Sequence, residues 1–373
     1  MAGPTRSPLL VTPASPEVIR PAVCSEPDHR AHCPAISFSF LLTSDFDYEL
    51  SSERIAQVPI EPRHAARLLD TRDLTDHTFV DLPELLEPGD LVVVNRTRVR
   101  AARLKGRKTD TGGQVEALLL RRISDDLWQA AVRPSRRLRS GTLLDFGSTP
   151  AVIEEGPVQG IATLRIDAKA AMATAGEVPL PPYVHTALTD QNRYQTIFAH
   201  EAGSAAASTA ALHFTSEVTA RLNQRQIDIA EVVLHIGLDT FRPISSDHIA
   251  DHQIHTEGFE VPEAAARAIK ECRQRQGRVI AIGTTVTRTL ETVATGDGLV
   301  RAESGTTGLF ITPGYEFTVV DGLVTNFHLP RTTLLVLLTA FMGTNWRDVY
   351  QAALERGYRF ASFGDAMYTE RSV

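Results

Sequence analysis

The sequence lacks the long apolar run that a membrane-spanning helix requires. A bilayer-spanning helix needs about 18 consecutive apolar residues, and the nearest approach, LLVLLTAFM at 334–342, is far shorter. We therefore expect no membrane insertion and interpret this stretch as a core helix. Residues 1–44 also lack the basic start and apolar centre of a signal peptide. Rich in proline and without periodicity, they predict a disordered N-terminal extension.

Cysteine is scarce, with only Cys24, Cys33 and Cys272 in 373 residues. So few cysteines exclude a disulfide framework and fit the reducing cytoplasm, where we expect the protein to reside. Cys24 and Cys33 lie near His29 and His32, but their spacing is not that of a zinc finger. We attribute this cluster to chance.

Basic charge is not in excess, because the formal net charge is −7. This balance excludes a uniformly basic nucleic-acid binder but leaves room for a local basic patch. With 43% hydrophobic and 22% charged residues, the chain can bury a sizeable core and is long enough for two domains. No G-x-G-x-x-G follows a predicted strand, which excludes the dinucleotide-binding fingerprint.

The hydrophobic pattern changes character between residues 100 and 167. There, short strand-like runs alternate with Gly, Pro, Asp and Ser, a pattern typical of a small barrel or sandwich. These runs are VEALLLRR, DLWQAAVRP, GTLLDF, AVIEE and IATLRI. The flanking segments, 45–99 and 168–373, mix predicted helices with buried strands such as LVVVN at 91–95. We predict one α/β domain built from these two segments and an inserted β domain at 100–167.

Basic residues are dense in and beside this inserted segment. They lie at Arg98, Arg100, Arg103, Lys105, Arg107 and Lys108, and again at Arg133, Arg136, Arg137 and Arg139. Two interpretations remain open. The residues form either a solvated face or a surface that contacts a phosphate backbone.

The stretch from Gly203 to Pro243 contains two polar clusters, separated by a predicted helix and a predicted strand. Thr215 is a candidate N-cap for the helix, which places His213 just before a helix N-terminus. His235 lies near the carboxyl end of the strand. Ligands collect at strand carboxyl ends and helix N-termini favour anions, so both histidines are candidate ligand-binding residues.

Four further segments place polar side chains at the ends of predicted strands or in turns. Gly283-Thr284-Thr285 can bind an anion at a helix N-terminus, although Thr285 as a simple helix cap explains the pattern equally well. The other segments are Asn95 to Arg98, Asn326 to His328, and the turn at Asp365.

His248, His252 and His255 recur at i, i+4 and i+7. On a helix they would share one face, as metal ligands can. No supporting pattern lies nearby, so we favour His252 and His255 as polar site residues, His248 as a surface residue, and no metal.

Collinear motifs from about residue 45 to 368 resemble the S-adenosylmethionine:tRNA ribosyltransferase-isomerase family. The motifs are FDYELSSERIAQVPIEPRHAARLL, PGDLVVVNRTRVRAARLKG, PLPPYVH, RYQTIFA, TAALHFT, LHIGLDTFRPI, DHQIHTEGFEVPE, GRVIAIGTTVTRTLE, PGYEF, TNFHLPRTTLL and YRFASFGDAM. The resemblance implies an α/β fold class, with a discontinuous α/β domain interrupted by a small inserted β-barrel domain.

The resemblance also implies a reaction. The ribosyl part of S-adenosylmethionine would move onto 7-aminomethyl-7-deazaguanine in tRNA, giving epoxyqueuosine and releasing adenine and methionine. S-adenosylmethionine would be a substrate, with no cofactor and no metal. A base would remove a proton beside the sulfonium and an acid would assist the departure of adenine, tasks that suit histidine. We expect a monomer that binds S-adenosylmethionine and tRNA.

On this resemblance we assign His213, His235 and His255 as acid–base residues. The predicted substrate-binding residues are Asn95, Arg98, Thr215, Arg242, Glu257, Thr284, Thr285, Arg288, Asn326, His328, Arg331 and Asp365. Of these, Glu257, Thr284 and Thr285 would hold the methionine end or the ribose hydroxyls. The three arginines Arg242, Arg288 and Arg331 would bind the substrate carboxylate or a tRNA phosphate.

The sequence departs from the family pattern at Arg96, Ser208, Ala211, Asp239 and Gly308. Because these departures lie within motifs, two alternatives stay open. One is a divergent paralogue that uses S-adenosylmethionine on another acceptor, and the other is a non-catalytic relative that binds tRNA.

Overall fold

The computed structural model describes residues 41–254 and 256–372, and for residues 238 and 239 it describes the backbone alone. The helices are α1 (Leu82–Leu85), α2 (Ala168–Ala175), α3 (Ser216–Gln224), α4 (Glu263–Gln274), α5 (Thr284–Thr292), α6 (Thr333–Met342) and α7 (Trp346–Glu355). Strands β1 to β10 are Arg67–Asp70, Thr75–Thr78, Leu91–Asn95, Thr97–Val99, Arg103–Lys108, Gln114–Arg122, Leu127–Arg133, Leu143–Phe146, Thr149–Val158 and Ile161–Ile166. Strands β11 to β20 are Gly176–Glu177, Glu201–Ser204, Asp228–Leu234, Glu257–Val261, Val279–Ile282, Ala294–Thr295, Leu299–Val300, Glu303–Thr307, Gly322–Asn326 and Ala366–Glu370.

A nine-stranded mixed sheet forms the centre of the α/β part, in the order β18-β14-β13-β3-β15-β19-β20-β1-β2. Its four central strands, β13, β3, β15 and β19, are mutually parallel. Their carboxyl ends therefore meet at one edge of the sheet.

Helices cover both faces of this sheet. Along β3, Val93 packs with residues of α4, α5, α6 and α7, whereas Val92 and Val94 pack with the opposite face, where α3 lies. Alternate residues of a strand point to opposite faces, so a continuous apolar run is what a strand buried on both sides requires. LVVVN has that character.

The second sheet closes into a barrel. Strands β5, β6, β7, β10, β9 and β8 pair in succession, and β5 also pairs with β8, through Arg107 with Asp145 and Lys108 with Leu144. The short strand β11 extends the sheet beside β5. Its interior contains apolar side chains such as Leu104, Phe146 and Leu164, which are fully buried. The fold class expected from the sequence, an α/β domain interrupted by an inserted β-barrel, is confirmed; the residue boundaries of the domains stay a prediction.

Several local predictions are wrong. The spacing of DQNRYQTIFA at 190–199 predicts a helix, but the segment forms only a short 3-10 turn (Gln191–Tyr194). The pattern of GLFITP at 308–313 predicts a strand, but the segment follows β18 and is not itself a strand. His248 and His252 flank a 3-10 turn (Ile249–Asp251), so these two do not meet the helical condition under which the histidines would share one face. Both of the last two segments contact distant parts of the chain: the Leu309 carbonyl accepts from Arg288 Nε, and His248 pairs with Leu42 in an isolated bridge.

Some sequence predictions fall on residues that are not described. They are the proposed chance cluster at Cys24 to Cys33, most of the extension at 1–44, and His255. Of the extension, residues 41–44 are described, and a 3-10 helix (Thr43–Phe46) begins there. None of the helices formed by residues 41–254 and 256–372 is long and apolar enough to cross a bilayer.

Candidate active site

Polar residues gather where the four parallel strands end. Asn95 ends β3, His235 follows β13, Gly283 separates β15 from α5, and Asn326 ends β19. Gly283 has a φ of +92°, a left-handed conformation that favours glycine and turns the chain sharply into α5. Such an edge is where open α/β sheets bind ligands.

The main cavity at this edge has a volume of about 410 Å³. This lies within the usual range of small-molecule sites, about 300–1,000 Å³. Its walls come from the loop after β13, the segment before β14, helices α5 and α6, and the segment after β18. Its lining residues include Thr240, Arg242, Asp251, His252, Glu257, Arg288, Phe310, Thr333, Leu334 and Leu337.

A buried ion pair, Glu257 with Arg288, lies in the wall of the main cavity. Glu257 is 6% exposed and Arg288 is 7% exposed. An Arg288 Nη1 hydrogen is donated to Glu257 Oε2, and Arg288 Nε donates to the Leu309 carbonyl at 3.0 Å. Glu257 Oε1 also accepts from the Gly237 N–H at 2.8 Å. Two buried charges that satisfy each other in this way are costly to separate.

Arg288 retains unused hydrogen-bonding capacity. Its Nη2 is buried and has no hydrogen-bond partner within the described part of the chain. An unsatisfied buried donor costs about 1–3 kcal/mol. A ligand acceptor brought next to this guanidinium would therefore gain more than the same contact made at the surface.

Two small clefts adjoin the main cavity, since Thr240 and Leu334 line all three. The first contains Tyr183, Asn326 and His328 among its lining residues. The second contains Ser208, Thr284, Thr285 and, again, His328. Seven of the predicted site residues thus lie in one connected region: Arg242, Glu257, Thr284, Thr285, Arg288, Asn326 and His328.

His213 lies behind this region. It lines a third cleft with Arg63 and Ser362, and Ser362 also lines the first cleft. His213 Nε2 is 3.3 Å from Asn326 Nδ2. Thr209 Oγ1 donates to the other side-chain atom of Asn326, Oδ1, at 2.7 Å. Burial lowers the pKa of His213 to about 4, an effect that the nearby Asp365 carboxylate opposes. The imidazole is therefore neutral at pH 7.

His328 is also neutral. Burial lowers its pKa to about 3, and its Nε2 is 3.0 Å from Thr325 Oγ1. Its backbone N–H donates to the Tyr350 hydroxyl at 2.8 Å. The ring is thus held by Thr325 of β19 and the backbone by Tyr350 of α7, while the ring lines both clefts.

His235 is not brought together with His213 and Thr284. It is half-buried, and its ring lies against Gly203, where an added Cβ would come within 2.3 Å of ring atom Cε1. Burial lowers its pKa, while the Glu201 and Glu260 carboxylates raise it. The same two carboxylates bind Arg96, at 3.0 and 3.5 Å, so this departure from the family pattern belongs to the surroundings of His235.

Three predicted substrate-binding residues already have structural partners. Asn95 joins β3 to β13, because its Nδ2 donates to the Leu234 carbonyl at 3.0 Å and its Oδ1 accepts from Leu234 and Thr97 N–H groups. Thr215 caps α3 and is 2.8 Å from His64 Nδ1. Asp365 accepts hydrogen bonds from Arg67 and Arg359.

The remaining predicted residues lie at the rim or outside it. Arg98 is exposed on β4 and contacts the Ala199 carbonyl at 3.4 Å. Arg331 is exposed and its backbone joins Phe46 and Ile244. Arg242 is exposed and lines the main cavity. Among the described residues, no three His, Cys, Asp or Glu side chains come together at metal-binding spacing.

Several residues that line these spaces have no specific role predicted from the sequence. Asp251, Phe310 and Thr333 line the main cavity beside His252. Tyr183 lies in the proline-rich loop 179–185 and its hydroxyl is 2.6 Å from Ser362 Oγ, at the wall of the first cleft. Its sequence signals are the prolines of that loop and the motif PLPPYVH, one of those that carry the family resemblance.

The protein belongs to the structural class in which a small barrel is inserted into the chain of an α/β domain. The α/β domain has a mixed sheet with a nucleoside-sized cavity at its carboxyl edge. A family model described as queuosine biosynthesis protein matches residues 43–369. The chain belongs to this family.

Over most of its length the chain is similar in sequence to named relatives and to a protein of known structure. S-adenosylmethionine:tRNA ribosyltransferase-isomerase from Heliobacterium modesticaldum is 51% identical over 336 residues, covering 86% of this chain and 98% of the relative. The enzyme of the same name from Moorella thermoacetica is 48% identical, covering 87% and 98%. The crystal structure of S-adenosylmethionine tRNA ribosyltransferase from Thermotoga maritima is 36% identical and covers 87% of this chain and 99% of that chain, with a TM-score of 0.50.

Proposed function

We propose that the chain transfers and isomerises the ribosyl part of S-adenosylmethionine onto 7-aminomethyl-7-deazaguanine in tRNA. The products are epoxyqueuosine in tRNA, adenine and methionine. Family membership and the names of relatives at 48–51% identity support this activity.

The observation that carries the proposal is the main cavity with its buried Glu257–Arg288 pair. S-adenosylmethionine has a carboxylate at one end and an adenine at the other, so its site needs a fixed cation and a large apolar wall. Arg288 supplies the cation, and Phe310, Leu334 and Leu337 supply apolar surface. A guanidinium matches the two oxygens of a carboxylate in geometry.

In this proposal the methionine carboxylate binds Arg288, with Arg242 at the rim as a second positive charge. Glu257 holds Arg288 in position. The ribose points towards the clefts, where Thr284 and Thr285 offer hydroxyl groups and the start of α5 favours a partial negative charge. Asn326 and His328 lie on the same route.

In the proposal, histidine side chains act as the acid and the base. They lie at increasing depth from the main cavity inwards. His252 lines the main cavity, and His328 lines the clefts. His213 is reached through Asn326. A neutral, desolvated imidazole can accept the proton next to the sulfonium, where the positive charge acidifies the carbon, and a second group protonates the departing adenine.

His235 requires a different approach by the acceptor base. Because its ring lies beside Gly203, it can act only if the aminomethyl group enters from that side. Unchanged turnover after His235→Ala would remove it from the mechanism. His255 stays in the proposal on sequence grounds alone.

S-adenosylmethionine enters as a substrate, and we propose that no further cofactor and no metal takes part, because the sulfonium itself activates the ribose. We also propose a monomer acting in the cytoplasm, where its tRNA substrate occurs. In this proposal, five of the predicted residues need not contact S-adenosylmethionine directly: Asn95, Arg98, Thr215, Arg331 and Asp365. The two arginines can bind tRNA instead.

The test incubates the protein with S-adenosylmethionine and tRNA carrying the deazaguanine, and measures adenine. The proposal predicts release only with that tRNA. Release with a different acceptor would identify a divergent paralogue, and tRNA binding without release would identify a non-catalytic relative. Either result would contradict the proposed activity.

A further inference from the structure

Positive charge is concentrated in the inserted barrel. Residues 100–167 contain twelve Lys and Arg against eight Asp and Glu, a net charge of +4, whereas the whole chain carries −7. The remainder of the protein is therefore strongly acidic. An acidic protein that binds a polyanion needs such a separation of charge.

One end of the barrel forms an open groove of about 1,360 Å³. It lies between strands β5 and β6, the turn after β7 and the turn after β8. Its basic lining residues are Lys105, Arg107, Arg133, Arg136 and Arg137, and its acidic ones are Glu116 and Asp145. The groove is larger than a typical small-molecule site of about 300–1,000 Å³.

Three of these arginines have no acidic partner. Lys105 pairs with Glu177 at 2.7 Å and Arg107 with Asp145 at 3.6 Å. By contrast, the exposed side chains of Arg133, Arg136 and Arg137 make no hydrogen bond or ion pair within residues 41–254 and 256–372. All three lie on one short segment.

That segment has a defined backbone. Residues Ser135–Arg137 form a 3-10 turn, closed by the Leu138 N–H to the Ser135 carbonyl at 3.1 Å. Lys108 Nζ donates to the Arg137 carbonyl at 2.5 Å and joins the turn to β5. The three guanidinium groups are therefore presented together rather than on a loose chain.

The opposite end of the barrel has arginines of a different kind. Arg122 pairs with Asp125, and Arg165 pairs with both Asp126 and Glu154. Strand β6 begins at the groove with Gln114 and ends with Arg122, about 26 Å away for a strand of this length. Arg121, also exposed at that end, makes no hydrogen bond or ion pair within the described residues, but it is a single unpaired arginine, whereas three line the groove. A solvated face alone does not explain this clustering.

We propose that this groove binds the phosphate backbone of tRNA at a distance from the reacting base. The inference rests on the proposed function for the identity of the RNA. No aromatic residue occurs among those lining the groove, so stacking of bases is not the binding mode. Contacts from arginine to phosphate position a nucleic acid without reading its sequence.

The experiment uses the full-length triple variant Arg133→Gln, Arg136→Gln, Arg137→Gln. Its matched control is Arg121→Gln, Arg122→Gln, Arg165→Gln, which removes the same charge from the other end of the same barrel. Binding of an unmodified tRNA transcript is measured by fluorescence anisotropy over a range of salt concentrations. Thermal unfolding verifies that both variants fold.

The groove variant is expected to bind tRNA at least about tenfold more weakly, with the slope of log K against log salt reduced by about 2. The control variant is expected to bind nearly as the unchanged protein does. Equal weakening in both variants, or unchanged binding in the groove variant, would overturn the proposal.

Failure of this inference is distinguishable from failure of the proposed function. If the unchanged protein releases adenine but the groove variant keeps its affinity, the groove proposal fails and the activity stands. If tRNA binding depends on the groove but no adenine is released, the groove proposal stands and the activity fails. With an active protein, the groove variant should raise KM for tRNA and leave kcat and the KM for S-adenosylmethionine unchanged.

Discussion

The Glu257–Arg288 pair both stabilises the fold and, in our proposal, binds S-adenosylmethionine. A single substitution cannot separate these two roles. Removing Arg288 alone leaves Glu257 as an uncompensated buried charge, which costs about 3–5 kcal/mol of stability. Removing both charges avoids that cost. The pair therefore allows an experiment in which binding is tested while the fold is preserved.

The double variant Glu257→Gln, Arg288→Met is predicted to fold and to bind S-adenosylmethionine about 100-fold more weakly, since a charge-assisted pair with the carboxylate is worth about 1.5–3 kcal/mol. Arg288→Met alone is predicted to unfold at a lower denaturant concentration than the double variant. Urea unfolding and the KM for S-adenosylmethionine measure the two effects. A double variant with unchanged KM would contradict the assigned role of Arg288.

His213 makes stability depend on pH in a defined direction. Burial lowers its pKa to about 4, below the ordinary 6.5, so the folded protein keeps the imidazole neutral. As the pH falls, the unfolded chain binds the proton first. The stabilisation is complete above pH 6.5 and is lost between pH 6.5 and about 4.

His213→Gln is predicted to lose about 2 kcal/mol less stability than the unchanged protein when the pH is lowered from 7 to 5. The exposed His185, replaced in the same way, is the control and should leave the pH dependence as it was. Urea unfolding at the two pH values gives the free energies. The same pH dependence in all three proteins would show that His213 is not a buried neutral imidazole.

The N-terminal part of helix α6 forms part of the wall of the main cavity, so the residue that caps this helix affects the shape of the cavity. Thr332 caps it, accepting from the Leu335 N–H at 3.4 Å and donating to the Leu329 carbonyl at 2.8 Å. The first two turns of the helix then supply Thr333, Leu334 and Leu337 to the cavity wall. The start of this helix is thus part of the site.

Thr332→Ala is predicted to cost about 1–2 kcal/mol of stability and to raise the KM for S-adenosylmethionine several-fold, because the first turn frays. The control is Thr339→Ala on the same helix, whose hydroxyl only donates to the Leu335 carbonyl; alanine suits a helix interior. Thermal unfolding and steady-state kinetics compare the variants. Equal changes in KM would contradict a specific role for the cap.

Helices with a cap and an apolar stripe could be predicted from the sequence. The cap at Thr215 and the helices α3, α4 and α6 are encoded within one segment each, so local patterns suffice. The segment DQNRYQTIFA has helical spacing, yet its side chains satisfy distant partners. Gln195 bonds both backbone groups of Val99, and this tertiary contact outweighs the local preference.

The site could be predicted in part. Strand ends marked Thr284, Asn326 and His328 as polar groups near one edge of the sheet, and the family resemblance added Glu257 and Arg288. All five line connected spaces.

The rest could not be predicted, because which polar groups share a cavity depends on pairings across the whole chain. The Asn95 side chain is already hydrogen-bonded to β13, and the Asp365 carboxylate is already hydrogen-bonded to Arg359. His235 faces Gly203 instead of the clefts.

The most direct test of the central claim is a crystal structure of the full-length protein in complex with S-adenosylmethionine. We predict density for the ligand in the main cavity, with the methionine carboxylate bound to Arg288 and the ribose directed towards Thr284 and His328. Ligand density outside this cavity, for example in the cleft beside His213 or next to His235, would contradict the account.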